Sequence, residues 1–284
     1  MGLTIHYRLS LPPKTLLPDV RQKLGALRQA CLDLPFKEVG ELVEFKDEAC
    51  NFEHLPREHP NRWFLIQSDT YVNYKYDRGG KPFRVEGFEN GTYSHNILPQ
   101  QIVGFSSWPG EGCEQANVGL CRFPKSTIIP NKWSGKNHRL PVGDGQWTWG
   151  SFCKTQYANS PECGGIENFL RCHLSVVAML DAAKKLGFAV ECNDESGYWK
   201  TRDLEALVKE IGQWDAFIAA FGGALKDATG GSGLQLEAPI LERKDFEKLE
   251  AEGQPLLPTS TASVLQRLAA ITSAGHRVEE LKRA

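Results

Sequence analysis

WTWGSFCKTQYANSPECGGIENFLRCHLSVVAMLDAAKKL, residues 147–186, decides how this chain is organised. Its second half is a helix by pattern. Ile166, Phe169, Leu170, His173, Val176, Val177, Leu180 and Ala183 recur at steps of three and four, which puts them on one apolar stripe. Gly164-Gly165 opens that helix and Gly187 ends it, where a residue free to take positive φ is wanted. Its first half, from Trp147 and Trp149, predicts a strand running into a cysteine-bearing loop.

Toward the C-terminus, Phe188, Val190 and Cys192 alternate as a short strand. A second helix follows from about Arg202, with Thr201 as its cap and Leu204, Leu207, Ile211, Trp214, Ile218, Phe221 and Leu225 on its stripe. Residues 228–258, with the run Thr229-Gly230-Gly231-Ser232-Gly233, predict a linker with a short helix near Phe246. Residues 259–284 predict a terminal amphipathic helix bearing Val264, Leu268, Ile271 and Val278.

Toward the N-terminus, residues 109–145 are rich in Gly, Pro, Asn and Lys and predict loops with at most a short hairpin. Residues 1–110 predict a strand, a helix and a meander. Leu3, Ile5, Tyr7 and Leu9 alternate with polar residues, and Val20, Leu24, Leu27, Cys31 and Leu34 follow helical spacing. Asn90-Gly91 suits a two-residue hairpin turn. The expected fold is α+β: a mostly antiparallel sheet with packed amphipathic helices, residues 1–110 and 111–227 forming one continuous body, and a helical C-terminal extension.

The bulk composition narrows the function classes. With 284 residues and 41% hydrophobic content the chain can bury a substantial core. The 33 basic and 35 acidic side chains nearly cancel, so no global charge draws it to nucleic acid or an anionic membrane. No apolar stretch approaches the roughly 20 residues of a membrane-spanning helix, and the N-terminus lacks the pattern of a secretory signal. A cytoplasmic protein with eight reduced cysteines is the expectation.

Those cysteines carry the candidate chemistry. Cys113, Cys121, Cys153 and Cys163 lie on predicted loops or their edges and form a candidate four-thiolate set for a structural zinc, although intervals of seven and nine residues are unlike the tight pairs of common zinc motifs. Cys172 and His173, neighbours on a helix, diverge by about 100° and belong to packing, with His173 expected as a buried, hydrogen-bonded core residue. As thiol nucleophiles, Cys163 and Cys153 are the candidates. Cys163 immediately precedes a helix N-terminus, which favours a thiolate, while Glu162 and Glu167 oppose it. Arg122, Lys125, Lys132, Lys136, His138 and Arg139 surround Trp133, a pattern that can hold single-stranded nucleic acid or be a solvated loop. The near-neutral total charge favours the solvated loop. Asp194-Glu195, with no histidine near in sequence, reads as turn charge.

The opening MGLTIHY, and the run SFCKTQYANSPECGG followed by ENFLRCH, resemble stretches of an uncharacterised bacterial hypothetical-protein family with no assigned function. The resemblance covers about the first 225 residues. It implies a bacterial or phage origin and a common fold, and transfers no catalytic residue. The sequence therefore points first to a non-catalytic binding protein acting through its loops or C-terminal helix on a protein partner, with a structural zinc as an option; then to a cysteine-dependent enzyme; and last to a nucleic-acid module.

Overall fold

A computed structural model of the chain describes residues 3–229 and 239–256. Two compact units are present. The larger comprises residues 3–159 and 163–195; the other comprises residues 160–162 and the described residues from Ser196 onward.

The larger unit is built on strand β1 (Thr4–Leu11), where the predicted alternation is realised: Ile5, Tyr7, Leu9 and Leu11 are buried while His6 and Arg8 stand exposed. Helix α1 (Leu17–Leu32) follows and buries Val20, Leu24, Leu27 and Cys31, the stripe expected from spacing. Then come β2 (Glu38–Val39), β3 (Val43–Lys46), helix α2 (Arg62–Ile66), β4 (Thr70–Tyr76), β5 (Pro82–Arg84), β6 (Tyr93–Ile97), β7 (Gln101–Phe105), β8 (Ser107–Trp108), β9 (Val118–Arg122), β10 (Ser126–Pro130), β11 (Asn137–Pro141) and β12 (Trp147–Lys154). Helix α3 (Gly165–Lys185) and β13 (Ala189–Asp194) complete the unit.

Six strands in the order β13-β1-β12-β9-β7-β3 form the main sheet, every neighbouring pair antiparallel. The fold is thus α+β. Helix α3 packs against α1 and buries Phe169, His173, Val176, Val177, Leu180 and Ala183, as its stripe requires, while Ile166 at its first turn is exposed. Strand β9 is a central strand that the glycine-rich reading of residues 109–145 overlooked. Its Gly119 lies opposite Gly104 of β7, and the two glycines leave room for the stacked rings of Phe64 and Trp149, whose centroids are 4.9 Å apart.

A second, smaller β layer completes the unit. Strands β5-β4-β6 form one sheet and β10-β11 a hairpin, and they share a core of Val72, Ile97, Ile129 and Leu140 flanked by Tyr74, Tyr76, Phe123 and Val142. Asn90-Gly91 does form a turn, with the Thr92 amide donating to the Glu89 carbonyl and Gly91 at positive φ. It does not make the expected hairpin, because β5 and β6 both pair with β4 and not with each other.

In the other unit, α4 (Tyr198–Thr201) precedes the long helix α5 (Leu204–Thr229), which packs against α6 (Phe246–Gly253). Buried Asp215 of α5 holds Arg243, on the segment leading into α6, at 2.7 Å. Residues 239–256 are therefore folded structure and not linker, and the second predicted core helix belongs to this unit and not to the body of α3. The predicted terminal helix over 259–284, and the glycine run 230–233, lie outside the described residues. No helix among the described residues is long and apolar enough to cross a membrane.

Candidate functional site

The thiols do not gather as the zinc expectation required. Cys121 on β9 lies opposite Thr148 of β12, whereas Cys153 sits five residues further along that strand, opposite Ile5. At about 3.3 Å per residue the two are roughly 16 Å apart, four times the spacing that ligands of one tetrahedral zinc tolerate. The four-thiolate set of Cys113, Cys121, Cys153 and Cys163 is not formed, and among the described residues no three His, Cys, Asp or Glu side chains are placed to hold a metal ion. Strand register separates what chain proximity had suggested.

Individually the thiols differ. Burial pushes Cys121 and Cys153 well above the usual thiol range, with negative charge from Cys50 and Asp69 adding to the first and Glu114 to the second. The Cys153 thiol donates to the Glu114 carbonyl at 3.2 Å, which suits an inert core thiol better than a nucleophile. Cys163 is half-buried and immediately precedes Gly164, the N-cap of α3. The pairing that sequence reasoning missed is Cys113 with Cys172. The loop before β9 folds back on α3 and brings Gly110 and Cys113 to Cys172, whose sulfur accepts from Arg171 Nη2 at 3.3 Å and whose thiol reaches Asn168 Oδ1 at 3.7 Å. The hydrogen bond from Cys113, and then the guanidinium, pull the Cys172 thiol below its ordinary value against the opposing effect of burial. Mild oxidation with diamide is expected to join these two sulfurs with loss of their two hydrogens, leaving Cys31, Cys121 and Cys153 reduced. Peptide mapping without reduction checks it, and a bridge from either sulfur to another cysteine would refute the pairing.

A second constellation lies wholly inside the unit. Thr155 Oγ1 is 2.9 Å from His173 Nδ1, and His173 Nε2 is 3.4 Å from Asp194 Oδ2. Hydroxyl, imidazole and carboxylate in series suggest nucleophilic catalysis. Accessibility decides against it: Thr155 and His173 are 0% exposed, so no substrate reaches the hydroxyl. The expectation for His173 as a buried, hydrogen-bonded core histidine is met. The reading of Asp194 as turn charge is corrected, since its side chain faces inward at the end of β13.

The site open to a ligand is a cleft of about 570 Å³ over the face of the main sheet that α1 and α3 leave uncovered. Arg8 and Thr148 line its floor, and Gly150, paired with Arg8 across β1 and β12, has open space where a Cβ would stand. Gln67, Asp69, Tyr71 and Arg84 rise on one side and the turn at residues 143–146 on the other. Several of these groups are held in place. Asn117, buried below, donates to Gln67 Oε1 at 2.9 Å; Arg84 donates to the carbonyl of Val142 at 2.9 Å; Asp144 accepts from the Gln146 amide at 3.0 Å. Burial raises the Asp69 carboxyl above the usual carboxylate value, with Asn96 and its own amide partly opposing. Arg8 engages no other described side chain through its guanidinium. A shallower hollow of about 630 Å³ beside the start of α1 is lined by Leu11, Pro12 and Ala26 together with Lys14, Asp19 and Lys23.

The sequence matches no protein-family model, and no curated protein or solved structure is significantly similar to it.

Proposed function

We propose that this is a non-catalytic binding protein that takes a small, polar, anionic ligand in the cleft over the open sheet face. The supporting observation is the meeting of Arg8, Arg84, Gln67 and Tyr71 around an unfilled space above Gly150. Pre-placed polar groups around a concave space are what ligand sites share. Arg8 supplies a planar, permanently charged fork for a carboxylate or phosphate, and Tyr71 an exposed ring to cover it.

Differential scanning fluorimetry with nucleoside monophosphates, sugar phosphates and dicarboxylates tests this. A true ligand at a hundred times its Kd stabilises by about 2.7 kcal/mol. The shift is expected to vanish in Arg8→Ala and in Gly150→Val, the latter filling the floor without meeting a neighbour. Affinity for an anion should also rise as pH falls, because Asp69, with its raised pKa, neutralises first and stops repelling the ligand. No stabilisation by any of the three classes, or a shift that Gly150→Val leaves intact, would remove the cleft as the site.

A further inference from the structure

The charge that is balanced over the whole chain is not balanced over the second β layer. Residues 70–97 and 122–146 hold nine Lys and Arg against four Asp and Glu, in a chain whose net charge is −2. The excess is concentrated where two turns meet. The β10–β11 turn folds onto the β4–β5 turn, with the Lys132 amide donating to the Gly80 carbonyl at 2.8 Å and Asn131 Nδ2 to the Gly79 carbonyl at 3.1 Å. Tyr76 Oη donates to the Pro130 carbonyl at 3.3 Å and ties the base of the joint.

Two aromatic rings lie flat on this joint. Trp133 rests on Gly80, so closely that a Cβ there would stand 2.7 Å from the indole nitrogen, yet the residue is 69% exposed. Tyr93 is stacked on Tyr74 at 5.6 Å and is 43% exposed. Each ring thus rests against a neighbour and stays partly exposed. Between them stands the Lys132 ammonium, 5.0 Å from the Trp133 ring centre and 5.8 Å from that of Tyr93. Lys81 and Lys136 are exposed on the same two turns. Asp77, the acid within these turns, spends a carboxylate oxygen on the amides of Gly79 and Lys81.

From this arrangement we infer that the joined turns form a surface for single-stranded nucleic acid, with bases stacking on Trp133 and Tyr93 and the intervening phosphate on Lys132. Stacking platforms set in a locally basic surface are how sequence-tolerant single-strand binders work. An anionic membrane would share the charge preference, but insertion needs rings that project, and these are laid against their own backbone and a neighbouring ring. The inference is independent of the cleft, which lies at the other end of the β10–β11 hairpin.

Fluorescence anisotropy with a labelled single-stranded oligothymidylate at about 50 mM and about 200 mM salt tests it on the full chain. Binding is expected at the lower salt and should weaken steeply at the higher. Trp133→Ala should weaken it roughly ten-fold or more. Lys132→Ala should flatten the salt dependence by about 0.7 in log–log slope, the loss of one phosphate contact on a single strand. Both side chains are exposed, so unchanged circular dichroism will show that the variants are folded. No binding at about 50 mM salt, binding that Trp133→Ala leaves unchanged, equal binding of duplex DNA, or preference for phosphatidylserine vesicles would each overturn it.

Discussion

Gly104→Ala is expected to destabilise the larger unit by roughly 3 kcal/mol, the upper part of the range for forcing volume into a packed core. The added Cβ would overlap the Val118 carbonyl oxygen and stand 2.6 Å from Phe64 Cζ. Neither can yield easily. The carbonyl belongs to the neighbouring central strand, and Phe64 is pinned between that strand and the Trp149 ring. A fall in Tm of about 6–12 °C follows for a domain of this size. Gly25→Ala is the matched control, because Gly25 lies within α1 and a Cβ there meets nothing within 4 Å. It should be neutral or stabilising by up to about 1 kcal/mol through helix propensity. Equal melting shifts for the two variants would show that strand proximity at Gly104 is not the cause.

His173→Ala is expected to cost about 2–5 kcal/mol, the range for emptying a large buried side-chain volume, with the lost hydrogen bonds adding to it. The Asp194 carboxylate is 1% exposed and lies against the imidazole, which on its other side meets the Thr155 hydroxyl. Removing the ring leaves both polar groups buried without it. Asp194→Asn should cost less, because an amide can still hydrogen-bond the imidazole. The quantity that separates this network from simple cavity formation is the coupling energy in a His173→Ala, Asp194→Ala double-mutant cycle. It is expected to exceed about 1 kcal/mol; additive single effects would mean that the two side chains are held independently.

Both predictions concern residues whose type was plain in the sequence and whose consequence was not. Gly104 is one glycine in an apolar run, and only its register opposite Gly119 and beneath Phe64 makes it irreplaceable. Asp194 came closer to being legible. Val190, Cys192 and Asp194 share one side of a strand, so the alternation already placed the carboxylate inward, while its histidine lies on the preceding helix. The lone aspartate was read by its neighbours in sequence instead of by its phase.

The cysteines divide in the same way. Helical spacing correctly put Cys31 on the buried face of α1 and His173 on the core side of α3. Chain distance failed for the rest, grouping Cys121 with Cys153, which strand register parts, and overlooking Cys113 with Cys172, which a returning loop joins. The cleft was not legible at all, since Arg8, Gln67, Arg84 and Gly150 come from four separated segments. Trp133 was noticed together with its basic neighbours, but what makes it a surface for stacking is the Gly80 backbone from another turn.

The sequence by itself determined the α+β class, the burial pattern of β1 and the stripes of α1 and α3, because periods of 2 and 3.6 are written by residues a few positions apart. Tertiary structure alone decided which thiols meet, which carboxylate lies against the central histidine, where the cleft opens and which rings flank Lys132. Each of those depends on strand register and on how loops fold back, and both are settled by packing between residues far apart in the chain.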